Sequence, residues 1–347
     1  MDRSRIGIIG LGGIATRMHI PALQTIPSVE IQAGAEVNPQ QAERTQRRFS
    51  IPRVYESYRR MLDEEELDAV YVCLPNALHA DAVRAALDHS LHVFCEKPMG
   101  LSASEALSLD ELAEERGRLL MPGYNMRYVP NYTRARNLVL GKRIGRILQI
   151  QATMAKPGPY TGWDPKSDWY HDPDNIGVLY DQGSHAVDLI RYVCDVEITT
   201  VEARASSTLP GLEIPDSIAA TFSTKTGAVG TLNLTWGAPA NLDMLIVHGT
   251  AGSLLASWKY FEHLTTGSGV AKLITFADNT ATIVRRVARS LVRLAPTDDP
   301  YAAISRDFIT AIRTATSPRV TARDGVHTLE TLNMIARALS TRDKVMA

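Results

Sequence analysis

The first 120 residues alternate short apolar runs with amphipathic segments. The predicted buried strands are residues 6–9, 29–37, 69–74, 91–95 and 119–121. Residues 77–88 lie between two of them and place apolar side chains at helical spacing. Strand–helix alternation of this kind predicts an α/β domain with a doubly wound parallel sheet, over residues 1–123.

The pattern changes after residue 124. The predicted strands are residues 146–155, 199–206, 217–223, 228–236 and 243–248. The consecutive order of the last four and their glycine-containing turns predict antiparallel pairing. The predicted helices are residues 130–140, 181–194, 301–314 and 324–340. The second domain, residues 124–347, is therefore predicted to be α+β with a large, mainly antiparallel open sheet, and its last helices are placed to pack back on the first domain. Residues 259–299 give no assignable pattern.

Composition narrows the class of partner. Lys plus Arg is 37 and Asp plus Glu is 38, so no basic excess favours nucleic acid or an anionic membrane. No apolar run approaches the roughly 18 residues that cross a bilayer, and the first strand is too short for a secretion signal. We therefore predict a cytoplasmic protein. Cys73, Cys95 and Cys194 form no CxxC pair, which favours buried thiols over disulfides or metal ligands.

A glycine-rich turn joins the first predicted strand to a helix. In that context Gly10-Leu11-Gly12-Gly13-Ile14-Ala15 fits the dinucleotide fingerprint G-x-G-x-x-G/A. Gly10 permits the tight turn, Gly12 lets the backbone approach a pyrophosphate, and Ala15 lets helix and strand pack closely. Glycine turns also join strands to helices where no ligand binds. The predicted cofactor contacts here are Gly10, Gly12, Gly13, Ile14 and Ala15.

Glu36 stands at the end of the second predicted strand, 21 residues past Ala15. A carboxylate there accepts both ribose hydroxyls and repels a 2′-phosphate, which favours NAD over NADP. NADP is not excluded, because three arginines follow downstream, at Arg44, Arg47 and Arg48. The alternative makes Glu36 a solvated strand end and the arginines an exposed helix face.

Two further strand ends carry candidate groups, since the carboxyl ends of parallel strands line one crevice. Leu74-Pro75-Asn76 with His79 follows one strand, and Asn76 is read both as a cofactor contact and as the cap of the next helix. Glu96-Lys97-Pro98 follows another strand. Lys97 beside a cationic nicotinamide would give up its proton more readily, which suits proton exchange with a substrate hydroxyl. The alternative is an ordinary solvated lysine.

Asp181, His185 and Asp188 stand at i, i+4 and i+7 and therefore share one helix face. His185 is the candidate proton carrier, oriented by Asp181, while Asp188 is expected to form a structural salt bridge or cap. A second interpretation makes Asp181 an N-terminal cap and His185 a buried core residue. A third places a divalent ion on the three side chains, but no second His or Cys cluster accompanies them, so no metal is predicted.

The motifs GLGGIA, LPNALH, CEKPMG, YNMRY-P and LYDQGSHAVDL occur in this order over nearly the whole chain. In this respect the sequence resembles the glucose–fructose oxidoreductase / inositol dehydrogenase / rhizopine-catabolism family. The resemblance implies a Rossmann domain, followed by an α+β domain whose open sheet often forms oligomer contacts, here a dimer or tetramer. It also implies that Lys97 contacts the nicotinamide ribose and substrate, and that His185, paired with Asp181, is the acid/base. Asn125 and Arg127 are implied cofactor contacts.

The segment before the acid–base helix departs from the family. Many members carry a glycine triplet there, whereas this chain has Asn175-Ile176-Gly177. The preceding loop contains Tyr160, Trp163 and Trp169 among charged residues, a mixture that fits a carbohydrate-like substrate. The alternative is that these aromatic residues pack at a domain or subunit interface.

These observations favour an NAD(P)-dependent dehydrogenase that acts on a secondary alcohol of a sugar, polyol or sugar derivative. A second hypothesis keeps the cofactor but couples transient oxidation to elimination, which would cleave a glycoside without net redox change. A third hypothesis is a non-catalytic cofactor sensor. Lys97, Asp181 and His185 argue against a sensor, because a sensor needs only the nucleotide-binding half.

Overall fold

The computed structural model describes residues 3–158, 171, 177–265 and 299–343. The chain divides into two units. The first consists of Met1–Asn125 and Pro300–Glu330, and the second of Met126–Asp299 and Thr331–Ala347. Each unit is built around its own sheet.

The first unit contains a six-stranded sheet in the order β3-β2-β1-β4-β5-β6. All five strand pairs are parallel, which confirms the predicted doubly wound sheet. β4 and most of β5 are buried, which is why these strands read as continuous apolar runs. The strands are β1 Ser4–Ile9, β2 Val29–Ala35, β3 Arg53–Tyr55, β4 Ala69–Val72, β5 His92–Cys95 and β6 Leu120–Pro122.

Helices connect the strands of the first unit. A π-helical turn, Ala15–His19, leads into the first α-helix, and a 3₁₀ turn, Asn76–Leu78, precedes the fourth. The α-helices are α1 Ile20–Gln24, α2 Pro39–Phe49, α3 Tyr58–Glu64, α4 His79–Asp88, α5 Ala103–Glu115 and, much later in the chain, α8 Pro300–Thr314. Arg44, Arg47 and Arg48 lie exposed on α2, as their alternative interpretation predicts.

An aromatic cluster joins α8 to the sheet of the first unit. The rings of Tyr71 on β4 and Phe94 on β5 stack with centroids 4.5 Å apart. Phe308 of α8 presents its ring edge to both, at 5.6 and 5.8 Å. Edge-to-face and offset-stacked contacts of this kind are favourable beyond the area they bury. A helix that starts at residue 300 is thus part of the first core.

The second unit contains a seven-stranded sheet in the order β13-β12-β11-β7-β10-β9-β8. All its pairs are antiparallel except β7 with β10, so the predicted mainly antiparallel sheet is confirmed. The strands are β7 Ile147–Pro157, β8 Ile198–Ser206, β9 Ser217–Thr224, β10 Val229–Thr235, β11 Gly237–Gly249, β12 Gly252–Ala256 and β13 Phe261–Thr265.

The expectation that the last four predicted strands, residues 199–206 to 243–248, pair in consecutive order is wrong at one place. β10 and β11 are not neighbours, because β7 lies between them. Ala152 of β7 pairs with Leu232 on one side and Leu245 on the other. β7 buries alternate side chains, Ile150, Ala152 and Met154, which is the pattern of a strand in a sheet with one face packed on a core.

The helices of the second unit are α6 Pro130–Leu140, α7 Ser184–Cys194 and the end of α9 Ala322–Asp343. A π-helical segment, Leu179–Gly183, precedes α7, so the helix predicted to start at residue 181 begins earlier. Among the described residues, no helix combines the length and hydropathy needed to cross a membrane. Cys73, Cys95 and Cys194 are free thiols and buried, as predicted.

Candidate active site

The turn after β1 is shaped by Gly10. This glycine has φ = 87°, and a Cβ on it would lie 2.6 Å from the carbonyl oxygen of Cys73. A Cβ on Gly12 would meet nothing within 4 Å, so open space lies over the backbone there. Gly13 and Ile14 are half-buried, whereas Ala15 is fully buried. The turn therefore has the shape that a pyrophosphate requires. Gly10 adopts a positive φ that favours glycine, and the backbone at Gly12 is accessible.

Glu36 follows β2 directly and holds this turn in place. Its Oε2 accepts from the backbone N–H of Leu11 at 3.0 Å, and its Oε1 accepts from Asn38 N–H at 3.0 Å. An ionised carboxylate has about four acceptor positions, so the side chain keeps capacity for further donors such as ribose hydroxyls. The predicted ribose contact is compatible with this geometry and stays a prediction.

The loop after β4 is tied to the loop after β5 by His79. The imidazole is fully buried, with Nδ1 2.6 Å from the carbonyl oxygen of Pro98 and Nε2 2.8 Å from that of Leu74. Burial lowers the pKa of His79, and the two carbonyl contacts only partly offset this effect. Pro75 is exposed on the loop that His79 supports. The predicted cofactor contacts of Leu74, Pro75 and His79 stay predictions.

Asn76 does not cap α4. The N-cap of this helix is Leu78, which makes no side-chain capping hydrogen bond, because the 3₁₀ turn Asn76–Leu78 comes before the α-helix. The Asn76 side chain is buried instead. The cap interpretation was therefore wrong in position, and the cofactor interpretation stays a prediction.

Lys97 is held by its neighbour Glu96. The Glu96 carboxylate is buried, with Oε1 2.6 Å from Nε2 of His19 and Oε2 accepting from the Lys97 backbone N–H at 3.1 Å. Burial raises the pKa of Glu96, but the hydrogen bond and charge of His19, together with Lys97, outweigh it and hold the pKa below its ordinary value. The Lys97 side chain is half-buried. Glu96 thus holds the backbone of Lys97 in place. The predicted contact of Glu96 with the cofactor stays a prediction.

His19 was not among the residues that the sequence predicted for the site. The ring is fully buried and lies in an aromatic cage, with centroids 5.5, 5.2 and 5.4 Å from those of Tyr71, Phe94 and Tyr301. The signal was weak: one histidine in the apolar stretch Met18-His19-Ile20, a helical turn after Ala15. Its partner Glu96 lies 77 positions away in sequence.

Asn125 ends the first unit with an unsatisfied acceptor. The residue is 4% exposed, and its Oδ1 has no hydrogen-bond partner among the described residues. Buried polar atoms in native structures are usually hydrogen-bonded, so an orphaned carbonyl oxygen indicates a missing donor. The amide group of a nicotinamide is one such donor. The residues present therefore fit a bound dinucleotide: Gly12 leaves room, Glu36 offers acceptors and Asn125 lacks a partner.

Asp181 lies within the π-helical segment before α7, so it is not the N-terminal cap of a helix. Its Oδ2 accepts from Nε1–H of Trp236 at 3.0 Å and from the side-chain amide of Gln182. His185 is half-buried on the first turn of α7. π-helical turns inside helices frequently occur at functional sites. The buried-core interpretation of His185 therefore does not describe its position.

Asp188 forms the structural salt bridge that its position predicted. Nη2 of Arg127 lies 2.6 Å from its Oδ1, and Nε lies 3.0 Å from each carboxylate oxygen. The side chains are 5% and 1% exposed, and the Arg127 guanidinium lies 5.0 Å from the Tyr192 ring centroid. Asp188 is thereby engaged by a cation of the chain. The predicted cofactor contact of Arg127 stays a prediction.

The predicted groups fall into two sets. The glycine turn, Glu36, His79 and the Lys97 loop belong to the first unit, and Asp181 and His185 belong to the second. Tyr160, Trp163 and Trp169, the predicted substrate contacts, lie outside the described residues, as do Asn175 and Ile176. Gly177 is described and has φ = 62°, the left-handed region that favours glycine.

Fold and site together define an NAD-binding oxidoreductase with a Rossmann domain. The chain belongs to the GFO/IDH/MocA family. The model of the oxidoreductase family with an NAD-binding Rossmann fold matches residues 4–124, and that of the GFO/IDH/MocA C-terminal domain matches residues 132–255. This confirms the family resemblance, the fold class and the dinucleotide cofactor.

Known relatives cover most of the chain. D-xylose 1-dehydrogenase (NADP(+)) 2 of Haloferax volcanii is 30% identical over 340 residues, 96% of this chain and 97% of the relative. Myo-inositol 2-dehydrogenase of Thermotoga maritima is 27% identical over 73% of this chain and 75% of its own length. The WlbA dehydrogenase from Bordetella pertussis, solved with NADH and UDP-GlcNAcA, is 21% identical with a TM-score of 0.85, covering 98% of this chain and 96% of that one. This last likeness shows the fold alone.

Proposed function

We propose that the protein is an NAD(P)-dependent dehydrogenase acting on a secondary alcohol of a sugar, polyol or sugar derivative. The observation that carries the proposal is the fixed Asp181 carboxylate one turn before the half-buried His185. The names of the relatives support the substrate class, since they describe dehydrogenases of xylose and myo-inositol.

Each residue has a defined task in this proposal. The bound nicotinamide supplies the hydride acceptor. His185 takes the hydroxyl proton as general base and returns it in the reverse direction. Asp181 orients the imidazole and stabilises its charged form, as a carboxylate does beside a catalytic histidine. Lys97 donates a hydrogen bond to the substrate oxygen and polarises it.

The first unit would hold the cofactor and the second the substrate. Gly10 to Ala15 would face the pyrophosphate, Glu36 the adenosine ribose, and Asn125 the nicotinamide amide. Two acceptor oxygens on Glu36 favour NAD over NADP, because a carboxylate repels a 2′-phosphate. The Haloferax relative is named for NADP(+), so cofactor preference is measured with both cofactors.

A substrate panel tests the proposal. Sugars, polyols and their derivatives are mixed with the protein and NAD⁺ or NADP⁺, and the nicotinamide absorbance is followed in both directions. His185→Ala should lower kcat by roughly 10² to 10⁴ while NADH affinity stays close to that of the parent protein. His327→Ala is the matched control, because the His327 side chain is 38% exposed beside Glu330 on α9 and has no role in the proposed chemistry. The proposal fails if no substrate reacts with either cofactor.

We also propose a cytoplasmic homo-oligomer, a dimer or tetramer, formed through one face of the second sheet. Residues that pair across neighbouring strands form rows in this sheet. In one row the side chains are half-buried or exposed, whereas the residues of the adjacent row are buried. The first row consists of Thr221, Thr231, Gln151, Ile246, Leu255 and Glu262. Light scattering after size exclusion should give a dimer or tetramer, and Ile246→Glu should shift it towards monomer. A monomeric parent protein at micromolar concentration contradicts the proposal.

The proposed cytoplasmic location is supported by the free buried thiols, which fit a reducing compartment.

A further inference from the structure

Trp236 directly follows β10 and contacts Asp181 from outside the helix to which Asp181 belongs. The side chain is 2% exposed, and its Nε1–H donates to Oδ2 of Asp181 at 3.0 Å. A buried indole N–H requires an acceptor, and an ionised carboxylate is the strongest acceptor that a side chain offers. Gln182 donates to the same oxygen. Two neutral donors therefore converge on one oxygen of a predicted catalytic carboxylate.

The position of Trp236 is fixed on two sides. Its backbone N–H donates to the carbonyl oxygen of Asp216 at 2.9 Å. Gly158, just past β7, packs so closely that a Cβ there would lie 2.7 Å from both the Cβ and the carbonyl oxygen of Trp236. The indole is thus carried by the rigid end of a central strand. Catalytic groups need such support, because displacements of about 1 Å cost large factors in rate.

We propose that Trp236 is a positioning residue that keeps Asp181 ionised and aimed at His185. The inference rests on the proposed function, in which Asp181 serves His185. A donor to a carboxylate stabilises the charged form, so it holds the carboxyl ionised to lower pH. Loss of the indole N–H should therefore move the acid limb of the kcat/KM profile to higher pH.

Other titratable groups lie near the segment Leu179–Gly183 and compete with Asp181 as sources of the same pH dependence. β10 carries no titratable side chain. Three other elements that pack against Leu179–Gly183, or bond to it, carry titratable or charged side chains. α7 carries His185, Asp188, Arg191, Tyr192 and Cys194, and β7 carries Lys156. On α9, Arg337 lies near Tyr180. Asp188 is bound by Arg127, Arg191 is bound by Glu197, and burial raises the pKa of the Cys194 thiol. His185 remains the main competing titration, and a substitution at Asp181 separates the two.

Trp236→Phe removes the N–H and keeps most of the ring volume. We expect kcat to fall about tenfold, with cofactor affinity unchanged and the acid limb moved up by about one pH unit. Trp258→Phe is the matched control, because Trp258 is 40% exposed and should leave both kcat and the profile unchanged. A profile that does not move in a folded Trp236→Phe protein overturns the proposal.

A second measurement compares the parent protein with Asp181→Asn and needs no turnover. The chain has four tryptophans, so ¹⁵N-indole labelling gives few side-chain signals, and that of Trp236 is identified by its response to Asp181→Asn. In the parent protein one indole signal should titrate in the acid range of a carboxyl group. In Asp181→Asn that signal should be displaced and pH-independent. Identical indole titrations in both proteins overturn the proposal, whereas absence of turnover with an intact titration overturns only the dehydrogenase assignment.

Discussion

Within the described residues, each unit has a buried carboxylate that is paired with a basic side chain beside a predicted chemical group, and the two pairs differ in that basic side chain. In the first unit Glu96, whose neighbour is Lys97, is paired with His19 through a single 2.6 Å contact. In the second unit Asp188, one turn beyond His185, is paired with Arg127 through several hydrogen bonds. The acid–base helix is thus anchored by a permanent cation, and the lysine loop by a titratable one.

Acid should weaken both pairs through protonation of their carboxylates. Arginine stays protonated throughout the accessible range, so the Asp188 pair should persist until the carboxyl itself is protonated. The pKa of Glu96 is lowered in the folded protein, so its contribution to stability is present above the ordinary glutamate pKa and is lost as pH falls through the lowered value. The loop that carries Lys97 should therefore loosen as Glu96 becomes protonated.

The largest predicted effect comes from breaking the second pair. Asp188→Ala should lower the free energy of unfolding by about 3–5 kcal/mol, because it leaves a buried guanidinium without its carboxylate. Urea denaturation measures the change. Asp81→Ala is the control, since it removes an exposed pair with Arg59 and should cost about 1 kcal/mol or less. Equal losses in the two variants would contradict the structural role of the Arg127–Asp188 pair.

A smaller effect is expected at Glu96. Glu96→Gln keeps the shape and an acceptor for the Lys97 backbone, but it removes the charge that faces His19, so stability should fall by about 2 kcal/mol. The parent protein should lose part of its stability as pH falls through the carboxyl range, and the variant should show a flatter profile there. Urea midpoints across that range provide the measurement. Parallel profiles would show that Glu96 contributes no linkage.

The smallest effect on folding separates two glycines of the first turn. Gly12→Ala should leave the stability unchanged, because its Cβ meets nothing within 4 Å, but it should weaken NADH binding on the order of tenfold by filling the space that a pyrophosphate needs. Gly10→Ala should instead lower stability by about 1–2 kcal/mol or more, since φ is 87° and its Cβ would contact Cys73. NADH fluorescence titration and urea denaturation distinguish the two. Unchanged NADH affinity in Gly12→Ala would contradict the assignment of this turn.

The sequence predicted five of the six strands of the first unit, because their signals are local, but it missed the three-residue β3. The apolar runs of a parallel sheet, the glycine turn and the position of Glu36 are all readable within about 40 residues. In the second unit the helix at 130–140 was predicted with its observed bounds. The insertion of β7 between β10 and β11 was not, because strand order depends on pairing between residues far apart in sequence.

The supporting residues were the hardest to predict. His19 contacts a residue 77 positions away, and Trp236 contacts one 55 positions away. Neither belongs to a motif, since a supporting role is defined only by the partner that folding brings near. The π-helical segment at Leu179–Gly183 was also not predicted, because one extra residue in a helical turn leaves the apolar pattern nearly unchanged.

Isotope transfer tests the central claim of hydride transfer most directly. A substrate found in the panel is labelled with deuterium at its carbinol carbon and incubated with the protein and NAD⁺, and the reduced cofactor is analysed by mass spectrometry. The account predicts one deuterium in the reduced nicotinamide, at a rate that falls by roughly 10² or more in His185→Ala. Reduced cofactor without deuterium, or cleavage of the substrate with no net reduced cofactor, would contradict it.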